Sequence, residues 1–468
     1  MIFNKTVTVV LPKTEFAQYI IVINSVFMIT GIAALGMSNS LMRYLVHYDN
    51  RNEKKEAKEL IFTTMLYTNA FQTIILALLF IGANLSLTLF QDNNYSYLLI
   101  LISVLCYFRL VISVLLVISY SRFDSLGYFS LTTLPPFLLI CFTLLAFLVG
   151  FIGSYSLIYA NIIANGLILL LLLVKLIKNG GFGKFSFEKF RDSLKFAGPL
   201  VVAGQFESLS QFFLLALLYS IFPEQVAVFA IGSSIANLLQ IIRQVIPTTY
   251  SPLVIKYYEV GRHSYLNYFV NQTFKIYLII SVPILLGIYA LSPFLIEILS
   301  TKEYLSGTVV VLFLSATNLL QTGRYMTAIG YLLMTKANQI ALVRTAATTI
   351  KIIIGLFLIP WMGMAGLAIS LFLFDVFLFI SEILVSQKLY KIQFQRSLYL
   401  KISILTIISF SLAFLLYHVI SVPFELSLLL SALFFGIGAI LLKIITIKDF
   451  YFVQYALFKG KMDYSLIE

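Results

Sequence analysis

A chain of 468 residues that is 60% hydrophobic and 11% charged, with a mean hydropathy of +0.97, carries too little polar surface to enclose a soluble core. Its net charge of +12 would suit a nucleic-acid ligand, but the bases are arranged by loop and form no binding patch. Two cysteines inside apolar stretches (Cys106, Cys141) and three scattered histidines (His47, His263, His418) exclude a disulfide scaffold and an HExxH or CxxC metal site.

In chain order, apolar stretches long enough to cross a bilayer cover 16–36, 60–83, 96–120, 128–152, 154–177, 196–222 and 225–247. Six more follow at 267–292, 305–334, 338–360, 363–387, 400–420 and 424–446. Lysine and arginine crowd onto alternate connections: 37–59, Arg122, 175–195, 248–266, Lys336, 388–401 and everything from 443 onward. The opposite set holds Lys302, with Lys5 and Lys13 near the start. By the positive-inside rule the basic connections and the C-terminus are cytoplasmic. The expectation is an all-α polytopic membrane protein of about thirteen transmembrane helices.

The start of the chain breaks this pattern. Residues 1–15 would lie outside, and the apolar run 6–11 is too short for a signal-peptide core. An internal repeat suggests the reason. Pro223-Glu224-Gln225-Val226-Ala227-Val228-Phe229 leads into a helix followed by the basic, aromatic Lys256-Tyr257-Tyr258. Pro12-Lys13-Thr14-Glu15-Phe16-Ala17-Gln18-Tyr19 leads likewise into a helix followed by Arg43-Tyr44 and His47-Tyr48 at nearly the same distance. A full apolar stretch precedes Pro223, whereas only eleven residues precede Pro12. The expectation is a fourteen-helix parent whose first helix is missing or truncated here; a proline at a helix start is also common by itself.

Repeats of six helices divide the chain into an N-terminal lobe (1–178), a cytoplasmic linker (179–195), a C-terminal lobe (196–391) and two additional helices with a basic tail (392–468). Paired bundles related by internal repeats are a transporter architecture. The run Gly180-Gly181-Phe182-Gly183-Lys184 lacks Walker A spacing and reads as a flexible linker, so no ATPase site or cofactor motif is expected. The mixed-charge run 52–59 reads as a solvated cytoplasmic helix. An enzyme acting on membrane-borne sugars would need a sizeable outer loop. The longest outer connections, 84–95 and 293–304, are short and lack paired carboxylates, so no enzyme is expected.

The run 12–19 followed by Gly36-Met37-Ser38-Asn39-Ser40-Leu41-Met42-Arg43-Tyr44 carries a family likeness. So do Phe196-Ala197-Gly198-Pro199-Leu200, the run 223–230 and Ile359-Pro360-Trp361-Met362-Gly363-Met364-Ala365-Gly366-Leu367-Ala368-Ile369-Ser370. The chain resembles a Wzx-type polysaccharide flippase of the MOP superfamily, which also contains MATE drug exporters and lipid II flippases. The resemblance implies a MATE-like two-lobe helix bundle in a cytoplasmic membrane. It implies alternating-access transfer of undecaprenyl-diphosphate-linked oligosaccharide from the inner to the outer leaflet. Membrane lipids and the polysaccharide polymerase machinery are the implied partners. A MATE-like gradient-coupled exporter of small molecules is the alternative.

Ionisable side chains within spans cost about 2.5–3.5 kcal/mol on insertion scales and usually face a cavity or a partner. Arg109 and Lys351 lie deep in their spans, and Arg324 lies in the inner half of its own. Arg243, Lys275 and Arg344 lie nearer the cytoplasmic ends. These six bases could form a cationic cavity for the diphosphate; each could instead snorkel to inner headgroups. Asp375 and Glu207 could bind a coupling ion or form structural ion pairs, for instance Asp375 with Lys351. Glu382, nearer the cytoplasmic end, is expected at the surface. Polar residues such as Asn24, Asn69, Gln72, Asn161, Gln205, Gln211, Asn237 and Gln321 could meet sugar hydroxyls, but bonds between helices are their commoner use. Away from the span ends, Glu207, Asp375 and Glu382 stand against six bases, which favours an anionic cargo over a cationic one.

Overall fold

The computed structural model describes residues 2–449 apart from 35, 52, 91–93, 123, 179–182, 241–242, 244–249, 251–252, 256, 335–336 and 447–448. The basic tail beyond 449, Lys256, Lys336 and most of the Gly-rich run lie outside the described residues. Every regular element among the described residues is helical. A short α1 (Ile2–Val10) precedes α2 (Lys13–Ala34), and Gly36, in the left-handed region at φ +64°, turns the chain into α3 (Met37–Asn50). Then come α4 (Lys54–Phe90), α5 (Asn94–Ser121), α6 (Ser125–Leu148), α7 (Ser154–Lys178) and α8 (Phe187–Ile221). Pro223 opens α9 (Pro223–Ala236), where its missing N–H costs no helical bond. The remaining helices are α10 (His263–Leu299), α11 (Thr308–Thr327), α12 (Ile329–Met334), α13 (Ala337–Met362), α14 (Met364–Leu389), α15 (Arg396–His418) and α16 (Phe424–Leu441).

Eleven helices among the described residues are long and apolar enough to cross a membrane. The two expected stretches outside that set are 196–222, which is carried by α8, and 225–247, which begins as α9 and runs into residues not described. Side chains such as Phe357, Ile407, Phe294 and Leu433 stand well exposed along the helices, a surface suited to hydrocarbon. Serine, threonine and asparagine inside the spans turn back onto their own helix: Thr30 Oγ1 donates to the Val26 carbonyl at 2.7 Å and Asn24 Nδ2 to the Ile20 carbonyl at 2.8 Å.

Two helices run further than hydropathy suggests. Both α4 and α10 hold 37 residues, about 55 Å of helix, well beyond a ~30 Å hydrocarbon core. Helix α10 passes through Pro283 and Pro293 to Leu299, so the outer connection expected at 293–304 shrinks to a short 3-10 turn, Lys302–Gly307. A proline in a long membrane helix removes one bond without ending the helix when packing holds both sides.

The chain forms two compact units. The first takes residues up to Ala227 together with Ala337–Gly363, so α8 and α13 cluster with α1–α7. The six-helix repeat places these two helices in the linker and C-terminal lobe. In the structure α8 packs on α2, where Gln205 Nε2 donates to the Gly31 carbonyl at 2.8 Å. Gly355 of α13 lies so close to Leu214 of α8 that an added Cβ would sit 2.5 Å from its Cδ2. A core cluster of this unit is built on aliphatic side chains, with Leu41 and Leu45 of α3 against Leu60, Met65 and Leu115.

The second unit takes Val228–Lys336 and the residues from Met364 onward. Its core is rich in rings, with Tyr250, Phe269, Phe274 and Tyr277 packed around Leu319 and Met326. The additional helices α15 and α16 pair with each other, and α16 lies along α10.

Candidate substrate-binding and ion-pair sites

Within the first unit, α5 lies against α2, α4 and α7 and carries Arg109 mid-span. The Arg109 guanidinium carbon sits 3.5 Å from the centroid of the Phe27 ring on α2. An aromatic face stabilises the cation without neutralising it. Among the described residues no carboxylate or hydrogen-bond acceptor takes its N–H groups. Nearby, Asn161 Nδ2 donates to Tyr19 Oη at 3.1 Å and the Thr73 and Tyr107 hydroxyls meet at 2.7 Å, while the Gln72 amide on α4 is buried with no hydrogen-bond partner among the described residues.

Lys351 of α13 is 1% exposed, and its Nζ donates to the Glu207 backbone carbonyl on α8 at 3.3 Å. Glu207 also accepts from Ser210 Oγ at that carbonyl, at 2.6 Å, while its carboxylate has no partner among the described residues. Arg344 is half-buried near the start of α13.

The second unit gathers four charges and one amide around α11 and α14. Gln321 and Arg324 lie three residues apart and share a face of α11; Asp375 and Glu382 lie seven apart and share a face of α14. Arg324 is 8% exposed, and the two acids are 3% and 4% exposed. Its Nε reaches Glu382 Oε2 at 3.3 Å and its Nη1 reaches Asp375 Oδ1 at 3.5 Å. Gln321 Nε2 donates to Asp375 Oδ2 at 2.9 Å, and Gln321 Oε1 accepts from Arg243 Nη1.

Asp375 is therefore ion-paired with Arg324, where the sequence had suggested Lys351. Glu382, expected at the surface, is buried: the spacing that puts it on the face of Asp375 also turns it toward Arg324. That spacing was the available signal for it. Beside this cluster is an almost wholly apolar cavity of about 400 Å³, lined by Phe274, Tyr277, Leu320, Phe372, Phe379 and Phe410 among others.

Lys275, on the same unit, neither snorkels nor joins this cluster. It pairs with Asp449 at 2.5 Å, and both side chains are buried. Thr446 adds bonds from its backbone N (2.6 Å) and Oγ1 (2.9 Å) to Asp449 Oδ2. Burial alone would raise the Asp449 carboxyl; the Lys275 and Thr446 bonds more than offset that and hold it below the usual carboxylate range.

In the first unit, Lys189 at the start of α8 is 9% exposed and bonds both Glu59 (2.9 Å) and Glu56. Burial presses the lysine down, but the two glutamates outweigh it and lift it above its ordinary value. The run 52–59 is accordingly not solvated all round. Ala57 is buried, and one face of α4 receives the chain returning from the linker, with Ser186 N donating to Thr63 Oγ1 at 3.0 Å. Neither Asp449 nor Lys189 carried a signal in the sequence, since each partner lies far away in the chain.

Long apolar helices enclosing ion pairs and a mid-span cation define a multi-pass membrane protein with the fold of MOP-superfamily transporters. The lipid II flippase MurJ in an inward closed conformation aligns at TM-score 0.69, with 18% identity over 96% of this chain and 95% of that one. An inward-facing multidrug resistance MATE family transporter of the MOP superfamily aligns at TM-score 0.62, with 14% identity over 83% of this chain and 93% of that one. The Vibrio cholerae MATE transporter VcmN aligns at TM-score 0.53, with 15% identity over 80% of this chain and 88% of that one. No curated protein matches the sequence. The chain belongs to the Polysaccharide biosynthesis protein family, whose sequence profile matches residues 1–257.

Proposed function

We propose that this protein is a flippase that moves undecaprenyl-diphosphate-linked oligosaccharide units from the inner to the outer leaflet of a cytoplasmic membrane by alternating access. One observation carries the reading within a polysaccharide biosynthesis family: Arg109 keeps its N–H groups unpaired, among the described residues, in the middle of a membrane-spanning helix. A half-buried mid-span cation without a counter-ion among the described residues calls for an anionic ligand, and a guanidinium suits phosphate oxygens through paired bonds.

In the second unit Arg243 is a further candidate cation, since among the described residues it meets an amide and no carboxylate. Arg324 and Lys275 are held by acids, and Lys351 by a carbonyl, so in this reading each balances charge within its own unit. The apolar cavity beside the α11–α14 cluster has room for hydrocarbon and little of the polar lining a sugar would need, which supports a lipid-borne cargo. The alternation of basic loops supports a cytoplasmic C-terminus.

A second reading, gradient-coupled export of a small cation, is favoured by Glu207 alone, whose carboxylate lacks a base among the described residues. The test is reconstitution of the chain into vesicles with fluorescent undecaprenyl-diphosphate oligosaccharide, scoring access by a membrane-impermeant quencher. Wild-type chain is expected to expose the inner pool, and Arg109→Gln to lose that exposure while inserting normally. Unimpaired transfer by Arg109→Gln would remove Arg109 from the path. Transfer of a small cation but no lipid would favour the second reading.

A further inference from the structure

The Gln321 bridge is not explained by cargo binding or by the ion pair alone. Its side chain touches two charges at once, accepting from Arg243 at Oε1 and donating to Asp375 from Nε2. Charge dictates that orientation. Turned over, the amide would present its N–H groups to a guanidinium that can only donate and its oxygen to a carboxylate that can only accept. A neutral spacer thus stands where a direct Arg243–Asp375 pair could form. Asp375 meanwhile has Arg324 on its other oxygen, and Arg324 reaches on to Glu382. Arg243 is oriented by the spacer without being neutralised by contact. One amide oxygen occupies one of its five donors, and among the described residues no carboxylate takes the others.

We propose, resting on the lipid-diphosphate reading, that Gln321 is a positioning residue that presents Arg243 to the phosphates and ties that grip to the charge of the Asp375–Glu382 pair. Among the described residues, the helices packed on α14 set the charge around those acids. Helix α11 supplies Arg324 and α12 supplies none, while α10, which meets α14 through Phe274 and Phe379, holds its Lys275 on Asp449. Arg243 is reached through Gln321. When one acid takes up a proton, the negative charge opposing Arg243 falls and its attraction for an anion grows. Affinity for the anion therefore rises as pH falls, and by linkage the bound anion favours proton uptake to the same degree.

The experiment measures binding of undecaprenyl diphosphate to the full chain in nanodiscs between pH 5.5 and 8.5, for wild type, Gln321→Met, Gln321→Glu, Arg243→Gln and the Gln321→Met/Arg243→Gln pair. Gln321→Met is expected to weaken binding about tenfold, the worth of one bond to a charged group. Gln321→Glu, which closes an ion pair with Arg243, is expected to weaken it further. The double variant should bind no more weakly than Arg243→Gln. The probe titrates too, so Arg243→Gln supplies the pH baseline that wild type must exceed.

Wild-type affinity in Gln321→Met, losses that multiply in the pair, or parallel pH profiles would overturn the proposal. Absence of binding by folded wild type would overturn the cargo reading instead. Should Gln321→Met fail to fold, Asp375→Asn keeps an acceptor for the amide and removes the charge. A flattened pH profile is then expected, and an unflattened one overturns the link.

Discussion

Replacing Arg324 by methionine keeps most of the side-chain volume and removes the base between two buried acids. At an effective dielectric near 20, each contact of 3.3–3.5 Å is worth about 5 kcal/mol of attraction, most of it offset by the desolvation of three charges. Removing one partner is a different matter, because the acids stay buried. Breaking such a pair costs about 3–5 kcal/mol. The escape route sets a similar scale: protonating a carboxyl of ordinary pKa near 4 at pH 7 costs about 1.4 kcal/mol for each unit, or about 4 kcal/mol. Arg324→Met should therefore lose about 3–5 kcal/mol at pH 7.5 and recover to a loss of about 1–2 kcal/mol at pH 5. Arg324→Met/Asp375→Asn/Glu382→Gln, which leaves no uncompensated charge, should return most of the stability. Urea unfolding of detergent-solubilised protein, followed by tyrosine and tryptophan fluorescence at both pH values, measures all three. A loss that is the same at pH 5 and 7.5, or a triple variant no more stable than Arg324→Met, would refute the ion-pair account of this cluster.

Asp449 offers a second pH test. Its folded carboxyl is held below the usual range, so its contribution is present above the ordinary aspartate pKa of about 4 and is lost as pH falls through the lower folded value. Asp449→Asn should unfold about 3–5 kcal/mol more easily at pH 7, leaving Lys275 buried without its acid, and should lack that acid-side transition in a thermal-unfolding series. Gly363, at φ +55° and with Gln225 packed where a Cβ would stand, should not tolerate a side chain. Gly363→Ala is expected to cost about 1–2 kcal/mol from the backbone alone, read as a lowered melting temperature in detergent. Unchanged melting would mean that the turn between α13 and α14 relaxes freely.

Class, span order and the deep placement of ionisable residues could all be read from the sequence, because each depends on composition within a window about as long as a bilayer is thick. The thirteen apolar stretches, the alternating basic loops and the isolation of Arg109 among apolar neighbours are local facts that folding leaves unchanged. What hydropathy could not settle was which way each helix faces. In helices apolar on nearly every side no stripe marks the inward face, so the partner of a buried charge cannot be inferred from periodicity. Tertiary packing alone therefore placed Arg324 between Asp375 and Glu382 and set Gln321 between Arg243 and an acid. Packing likewise drew Lys189 onto the start of α4 and carried α10 through Pro293. These contacts join residues far apart in sequence, and their energies depend on helix rotation and register, quantities that only the packed chain defines.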